Sequence, residues 1–207
     1  MRTATSLFAI LLGVSALPKI PQAQAQTLNV LHSFTGAPDG AFPMASLVRD
    51  KEGNLYGTTQ GGGGVPVEKQ VGTVFKLETS GNETVLHTFG ESGDDGQLPV
   101  AGLVRDKAGN LYGTTPFGGD CPPCSESGTV FKLDTSGNET LLHNFTGAPD
   151  GANPFAGLIM DRAGNLYGTT AAGGSSGYGT VFKLDTSGNE TVLYSVTGTP
   201  DGANPRV

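Results

Sequence analysis

A tandem repeat dominates this sequence and constrains its fold more than any other feature. The heptapeptide GNLYGTT occurs three times, starting at Gly53, Gly109 and Gly164. A second motif, GTVFKL, also occurs three times, starting at Gly72, Gly128 and Gly179. Successive copies are separated by 51 to 56 residues. Self-similarity at a nearly fixed spacing is typical of repeat architectures, so each copy is predicted to be one structural unit.

Each unit contains four short segments rich in β-branched and aromatic residues. In the second unit they are Gly102–Asp106, Leu111–Thr115, Gly128–Asp134 and Glu139–Phe145. Such segments, bounded by Gly, Asn, Asp and Ser, predict strands, and no sustained helical period follows residue 25. The connections Asp106–Asn110 and Asp134–Asn138 predict tight turns in which the Asp side chain accepts hydrogen bonds from turn amides.

A four-stranded antiparallel unit of this length, apolar on both faces, matches a propeller blade. We therefore predict an all-β, β-propeller-like array of about three four-stranded antiparallel blades, with units at about 36–89, 90–145 and 146–196. Leu28–Phe34 matches the fourth strand of a unit and is predicted to be an extra N-terminal strand, and residues 197–207 match a truncated next unit. Three blades are too few to close a ring, so we expect an incomplete ring. Either the chain is a truncated member of a longer family, or the arc associates with itself through its open blade ends.

Residues 1–25 have the pattern of a secretory signal peptide. Arg2 precedes the apolar run Ser6–Leu17, and Ala23 and Ala25 are the small residues that a signal peptidase reads. The run is too short to cross a bilayer, and the alternative is a hydrophobic helix kept in the mature fold. We expect a secreted protein, extracellular, at the cell surface or in the periplasm, with no membrane span after cleavage.

Net charge excludes one class of partner. Cleavage after Ala25 would remove two of the 12 basic residues, Arg2 and Lys19, and none of the 19 acidic ones. An acidic chain without a basic cluster argues against nucleic acid and anionic membranes, because phosphate binding depends on Lys and Arg. No nucleic-acid partner is therefore expected.

The repeat also resembles a known family. The strings GLVRDKAGNLYGTT, GTVFKLDTSGNET and FTGAPDGANP resemble the GloVer-type (Gloeobacter–Verrucomicrobium) tandem repeats of secreted bacterial proteins, over residues 28–207. The D-x-x-G-N-L-Y turn is also similar to one in NHL and gluconolactonase-like propellers. The GloVer family is known for its repeats and varied C-terminal surface anchors rather than for an activity. The resemblance therefore implies secretion and a propeller, and it implies no catalytic residues.

Two kinds of loop are predicted to share one face. Because antiparallel strands alternate in direction, the loops after the second and fourth strands lie together. The first kind is Gly-rich and varies in length, at Gln60–Val71, Pro116–Ser127 and Ala171–Tyr178. The second kind contains Asp-Gly. Variable loops on a rigid scaffold favour recognition, with drift of unconstrained loops as the alternative. The candidate binding residues are Asp39, Asp94, Asp95, Asp150, Glu68, Phe117 and Tyr178.

Cysteine and histidine are the residue types that could form a disulfide, a redox centre or a metal site. Cys121 and Cys124 lie in a Gly-rich loop of a chain predicted to be secreted, which favours a disulfide over redox or metal roles. His32, His87 and His143 share one repeat position whose fourth copy is Tyr194. Tyrosine can replace histidine in packing and in a hydrogen bond but not as an imidazole ligand, so aromatic packing is predicted. No metal and no other cofactor is expected. The Asp-Gly carboxylates could line a calcium site or contact a sugar, but a single Asp per loop favours turn stabilisation.

These features favour a secreted scaffold or binding module that presents the Gly-rich loops to an extracellular polysaccharide or protein. Catalysis requires residues of differing roles around one centre, whereas the repeats supply copies of the same residues, so no catalytic residue is assigned. A metal-dependent hydrolase or lactonase-like propeller enzyme is the alternative, and a non-functional fragment of a longer repeat protein is a third.

Overall fold

The computed structural model describes residues 27–64, 71–90, 95–119 and 127–206. The chain divides into a segment ending at Val30 and a compact unit from Leu31 to Val207. Residues 27–30 carry no regular secondary structure, and every strand of the described residues lies in the second unit. Among the described residues there is no helix long and apolar enough to cross a membrane.

The first sheet is antiparallel and has its strands in chain order. Its strands are β1 Val48–Arg49, β2 Leu55–Thr59, β3 Thr73–Leu77 and β4 Glu83–Thr88. Leu55 pairs with Leu77 and Thr59 pairs with Thr73. The β-branched residues of TVFKL suit a central strand, and the Gly-Asn turns join neighbouring strands.

Six strands follow between residues 96 and 144. They are β5 Gly96–Gln97, β6 Val104–Arg105, β7 Leu111–Thr115, β8 Phe117–Gly118, β9 Thr129–Leu133 and β10 Glu139–Asn144. Strands β6, β7, β9 and β10 form the second four-stranded sheet in that spatial order, and β5 pairs with β8 in a separate two-stranded sheet.

The third sheet repeats the first. Its strands are β11 Ile159–Met160, β12 Leu166–Thr170, β13 Thr180–Leu184 and β14 Glu190–Ser195, in chain order and antiparallel. The all-β prediction, with three four-stranded antiparallel sheets, is confirmed. The first strand of each sheet is shorter than predicted, with only two residues paired.

A β-bulge at the same place in each sheet shapes the outer strand. In the first sheet Val74 pairs with His87 and Phe75 pairs with Val85, so Leu86 is the extra residue. The other two sheets have the same shift, which leaves Leu142 and Leu193 as the extra residues. A bulge re-aims the side chains around it, and here it sets the direction of the histidine that follows.

The sheets stack on one another through two apolar clusters. The first joins Val74 and Phe89 to Leu103, Leu111, Phe131 and Leu133 of the second sheet and its flank, and all six are at most 8% exposed. The second joins the second sheet to the third through Val130, Phe145, Leu158, Leu166, Phe182 and Leu184. Phe89 meets Phe131 edge to face at 5.1 Å, and Phe145 meets Phe182 at the same distance. Face-to-face stacking of successive units is thus built from equivalent residues.

The prediction of a strand over Leu28–Phe34 is wrong. None of these residues belongs to a strand. Strands β4, β10 and β14 each have an inner strand of their own unit to pair with, whereas no strand of the described residues pairs with this segment. Phe34 nevertheless packs on Phe75 at 4.9 Å, as Phe89 packs on Phe131. The segment therefore makes the aromatic contact of a fourth strand without the backbone hydrogen bonds of a paired strand.

Candidate functional site

The described parts of the Asp-Gly loops and of the Gly-rich loops lie side by side at one end of each four-stranded sheet. Ala41 bridges to Gly61, and Ala152 bridges to Ala172. In the second unit the same contact is extended into strands β5 and β8, with Gln97 opposite Phe117. The prediction that both kinds of loop share a face is therefore confirmed. This loop end is the candidate recognition surface.

The glycine of the Asp-Gly pair in each of the three full units, at Gly40, Gly96 and Gly151, lies close above a buried threonine pair. Thr59 and Thr73 hydroxyls are 2.8 Å apart, and equivalent pairs at Thr115–Thr129 and Thr170–Thr180 are 2.7 and 2.8 Å apart. A Cβ on Gly96 would overlap the Thr115 Oγ1, and a Cβ on Gly40 would lie 2.7 Å from the Thr59 Oγ1. Only glycine allows such an approach, which explains the Asp-Gly sequence of the three full units; at Gly202 no neighbour lies within 4 Å.

The aspartates of this motif point inward and close their own loops. Asp39 accepts hydrogen bonds from the Thr35 amide at 2.8 Å and the Thr35 hydroxyl at 3.1 Å. Asp150 accepts the same two from Thr146 at 2.9 and 3.2 Å. Desolvation raises the pKa of Asp39, but the hydrogen bonds from Thr35 and His32 outweigh it and leave the pKa below its ordinary value. These contacts are those of turn stabilisation.

The histidines meet these aspartates. His32 Nε2 lies 3.0 Å from Asp39 Oδ1, and His143 Nε2 lies 3.2 Å from Asp150 Oδ2. In the fourth copy the Tyr194 hydroxyl donates to Asp201 Oδ2 at 2.7 Å. The prediction that tyrosine takes over a hydrogen bond made by histidine at this position is confirmed.

Packing of the histidine rings is equally regular. Each ring meets the phenylalanine two residues later edge to face, with the centroids 4.8 Å apart, in the pairs His32–Phe34, His87–Phe89 and His143–Phe145. The ring edge thus packs on the aromatic core while Nε2 faces a carboxylate. This confirms the predicted aromatic packing and adds a polar partner to it.

A glutamate from the next unit completes each cluster, and sequence reasoning missed it. Glu83 lies with His32 and Asp39, and Glu139 lies with His87 and Asp95, with the ligand atoms of each group within 4.8 Å of one another. Glu190 interacts electrostatically with Asp150 and His143. The available signal was that Glu recurs in the Asn-Glu-Thr triplet of every unit, at residues 82–84, 138–140 and 189–191.

The cluster of His87, Asp95 and Glu139, termed the interface triad below, is the most buried of these groups. Asp95 is 4% exposed. Its Oδ2 accepts the Gly90 amide at 2.7 Å and lies 3.5 Å from His87 Nε2, and Glu139 Oε2 lies 3.8 Å from that nitrogen. Burial and the nearby Asp95 carboxylate raise the pKa of Glu139 to about 7.

The aromatic candidates lie at the loop end. Phe117 is half-buried, and its ring meets Phe155 at 5.9 Å. The Arg206 guanidinium covers Phe155 at 4.8 Å from the ring centroid. Tyr178 is 44% exposed. The remaining candidates lie outside the described residues: Glu68, Asp94, Cys121 and Cys124.

The fold and these clusters define an antiparallel β-sheet repeat protein whose successive units share one set of interface residues. A family model described as the Gloeobacter/Verrucomicrobia repeat matches residues 17–207. The chain belongs to the Gloeobacter/Verrucomicrobia repeat family, as the resemblance of its repeat indicated. A search of curated proteins gave no match.

Proposed function

We propose that this chain is a secreted repeat scaffold that binds an extracellular polysaccharide or protein through its loop end. The observation that carries the proposal is the pairing of an Asp-Gly loop with a Gly-rich loop at the same end of all three sheets. Sequence variation in loop length falls at that end, while the opposite end carries uniform Asp-x-x-Gly-Asn turns. A rigid repeated frame with variable loops on one side is the arrangement used for recognition.

The exposed aromatic and acidic residues of the loop end supply the contacts. Tyr178 presents a ring that is 44% exposed, and the half-buried Phe117 belongs to the Gly-rich loop of the second unit. Aromatic side chains give large contact area with a polar tip, a combination enriched at binding surfaces. Glu68 and Asp94 belong to the same loops by sequence and stay candidates for this surface, whereas the carboxylates of Asp39, Asp95 and Asp150 face inward and hold their loops in shape.

The three sheets are proposed to be consecutive blades of a propeller. This proposal is supported by the apolar contacts between adjacent sheets, which are made by equivalent residues, as in the packing of propeller blades. Two sheet faces then stay uncovered by an adjacent sheet of the described chain. Leu47 is 48% exposed, although its equivalents Leu103 and Leu158 are buried against a preceding sheet. Leu193 is 51% exposed, whereas its equivalents Leu86 and Leu142 pack against the following cluster.

These two faces are complementary to each other. In the internal interfaces the residues equivalent to Leu47 and those equivalent to Leu193 lie on the two sides of one sheet-to-sheet contact. A second copy of the chain can therefore stack head to tail, with its Leu47 face on the Leu193 face of the first. Such an association would cover the apolar surface around Leu47 and Leu193, while Phe75 of the first sheet is already covered by Phe34.

Binding is tested on the purified protein with insoluble polysaccharides and a glycan array, and with cross-linking to proteins of the producing cell's surface. Phe117→Ala and Tyr178→Ala are expected to weaken binding at least about tenfold, since buried aromatic anchors dominate recognition. Lys107→Ala and Ser136→Ala, exposed in the uniform turns of the opposite end, are the matched controls. Equal losses in both pairs would place recognition elsewhere.

Association is tested separately by sedimentation velocity over a range of protein concentrations. Leu193→Asp is expected to shift the distribution toward the single chain, because it places a charge in an apolar contact. Thr135→Asp, an exposed position in the middle unit, should leave the distribution unchanged. If the unmodified protein sedimented as the single chain at every concentration, head-to-tail stacking would be refuted.

A further inference from the structure

The interface triad contains a buried carboxylate oxygen that needs a positive partner. Asp95 Oδ2 receives the Gly90 amide, but Asp95 Oδ1 is buried and has no hydrogen-bond partner among the described residues. The Glu139 Oε1 atom is in the same condition. A buried carboxylate oxygen without a donor is costly, and two of them in one cluster are costlier because like charges repel.

Distances in the triad differ from those in the other two clusters. In those clusters histidine touches aspartate directly, at 3.0 Å for His32–Asp39 and 3.2 Å for His143–Asp150. In the triad His87 Nε2 stands 3.5 Å from Asp95 Oδ2 and 3.8 Å from Glu139 Oε2. These separations exceed an ordinary hydrogen bond and lie within about half an ångström of the ~3.3 Å between neighbouring ligands of a tetrahedral zinc ion.

The donor set selects the kind of ion. One imidazole nitrogen and two carboxylates are ligands of Zn²⁺, whereas Ca²⁺ prefers six or more oxygens. The His32 cluster has the same residue types, but both Asp39 oxygens there are already engaged, by His32 and by Thr35. The glutamate Oε1 is unpartnered among the described residues in all three clusters, so the triad is distinguished by the free Oδ1 of its aspartate and by its wider spacing.

We propose that His87, Asp95 and Glu139 bind one divalent metal ion, with Zn²⁺ the best match. Because His87 lies on β4 and Glu139 on β10, the ion bridges the outer strands of the first and second sheets. It thereby links two consecutive repeat units, a role independent of what the loop end recognises. The fourth coordination position of the ion is left to a water molecule or to a molecule bound at the adjacent loop end.

Zinc binding is measured by isothermal titration of the chelator-treated full chain with zinc chloride, and by metal analysis after dialysis. One equivalent per chain is expected. His87→Tyr copies the residue that the chain itself uses at position 194, so it keeps the aromatic packing and a hydrogen-bond donor but removes the nitrogen ligand. His143→Tyr makes the identical change in the third cluster and is the matched control.

His87→Tyr should lower zinc affinity at least about tenfold, and His143→Tyr should leave it unchanged. Glu139→Gln provides a second variant, nearly isosteric, with the same expected loss, and circular dichroism verifies the fold of each. Zinc should raise the thermal midpoint of the unmodified protein and of His143→Tyr but not of His87→Tyr. No zinc uptake, preference for calcium over zinc, or equal losses in the two tyrosine variants would overturn the assignment.

Discussion

The Thr58 hydroxyl donates a 3.0 Å hydrogen bond to the Ala101 carbonyl oxygen and so ties the first sheet to the segment that leads into the second. Thr114 makes the same 3.0 Å bond to the Ala156 carbonyl one unit later. The equivalent hydroxyl of Thr169 is buried and has no partner among the described residues. The threonine hydroxyl at this repeat position therefore makes a hydrogen bond across a unit boundary in the first two sheets and has no partner among the described residues in the third.

Replacing these threonines by valine should separate the two situations. Thr114→Val is expected to lower the free energy of unfolding by about 1–2 kcal/mol, because it leaves the buried Ala156 carbonyl without its donor. Thr169→Val removes a buried hydroxyl that no described residue satisfies, so it should be neutral or stabilising. Urea unfolding followed by circular dichroism measures both. A comparable loss in the two variants would contradict the assigned hydrogen bonds.

The strand glycines of the LYGTT motif test how closely the core packs. A Cβ on Gly113 would lie 2.6 Å from Phe131 Cζ and 2.9 Å from Leu103 Cδ2, both in the first core cluster. Gly113→Ala should therefore destabilise the protein by about 1–3 kcal/mol through overpacking. Thermal and urea unfolding provide the measurement.

Gly157→Ala is the control for that change. Gly157 is exposed, and a Cβ there would come no closer than 3.3 Å to a neighbour, the Gly102 carbonyl oxygen. That contact is slightly tight and a backbone shift of a few tenths of an ångström relieves it, so we expect a smaller loss than at Gly113, below about 1 kcal/mol. If Gly157→Ala proved as harmful as Gly113→Ala, backbone entropy or strain rather than core crowding would explain both.

Local chemistry was predictable from the sequence because turns and strand composition are decided within a few residues. The Asp106 turn is an example: its carboxylate accepts the Gly109 and Asn110 amides at 2.8 and 2.9 Å, as its position before Gly-Asn predicted. The shared loop end was also predictable, since it follows from strand direction alone. Tyr194 was informative because a natural substitution shows which property of histidine the position uses.

Contacts between units were less predictable because they depend on the stacking geometry. Glu139 reaches His87 from a neighbouring sheet, 52 residues later in the chain, and only the face-to-face packing brings the two together. The β-bulge that leaves Leu86 unpaired also interrupts the alternation of side chains between the two faces of β4, which composition alone does not reveal. The absence of a strand at Leu28–Phe34 was also hard to predict, because a segment of strand-like composition forms a strand only when a partner strand lies beside it.

The Asp-x-x-Gly-Asn turns predict a loss of stability in acid. The hydrogen bond from the Asn165 side chain, together with others from the Asn165 and Ala163 amides and the Tyr167 hydroxyl, lowers the pKa of Asp161 to about 2 against the effect of desolvation. In the unfolded chain this carboxyl titrates near ~3.9. The folded protein therefore binds fewer protons between these values, so the stabilisation is complete above the unfolded pKa and declines as pH falls toward the folded pKa.

Asp161→Asn keeps one acceptor oxygen but removes the titrating charge, so its free energy of unfolding should fall less steeply between about pH 4 and pH 2 than that of the unmodified protein. The difference between the two curves isolates this residue from the other carboxylates, including Glu83 and Glu190, whose raised pKa values act in the opposite direction. Urea unfolding at half-unit pH steps is the measurement. Parallel curves for the two proteins would show that the hydrogen bonds of Asp161 are no stronger folded than unfolded, and the turn would then owe its stability to Gly164 and its positive φ of 91°.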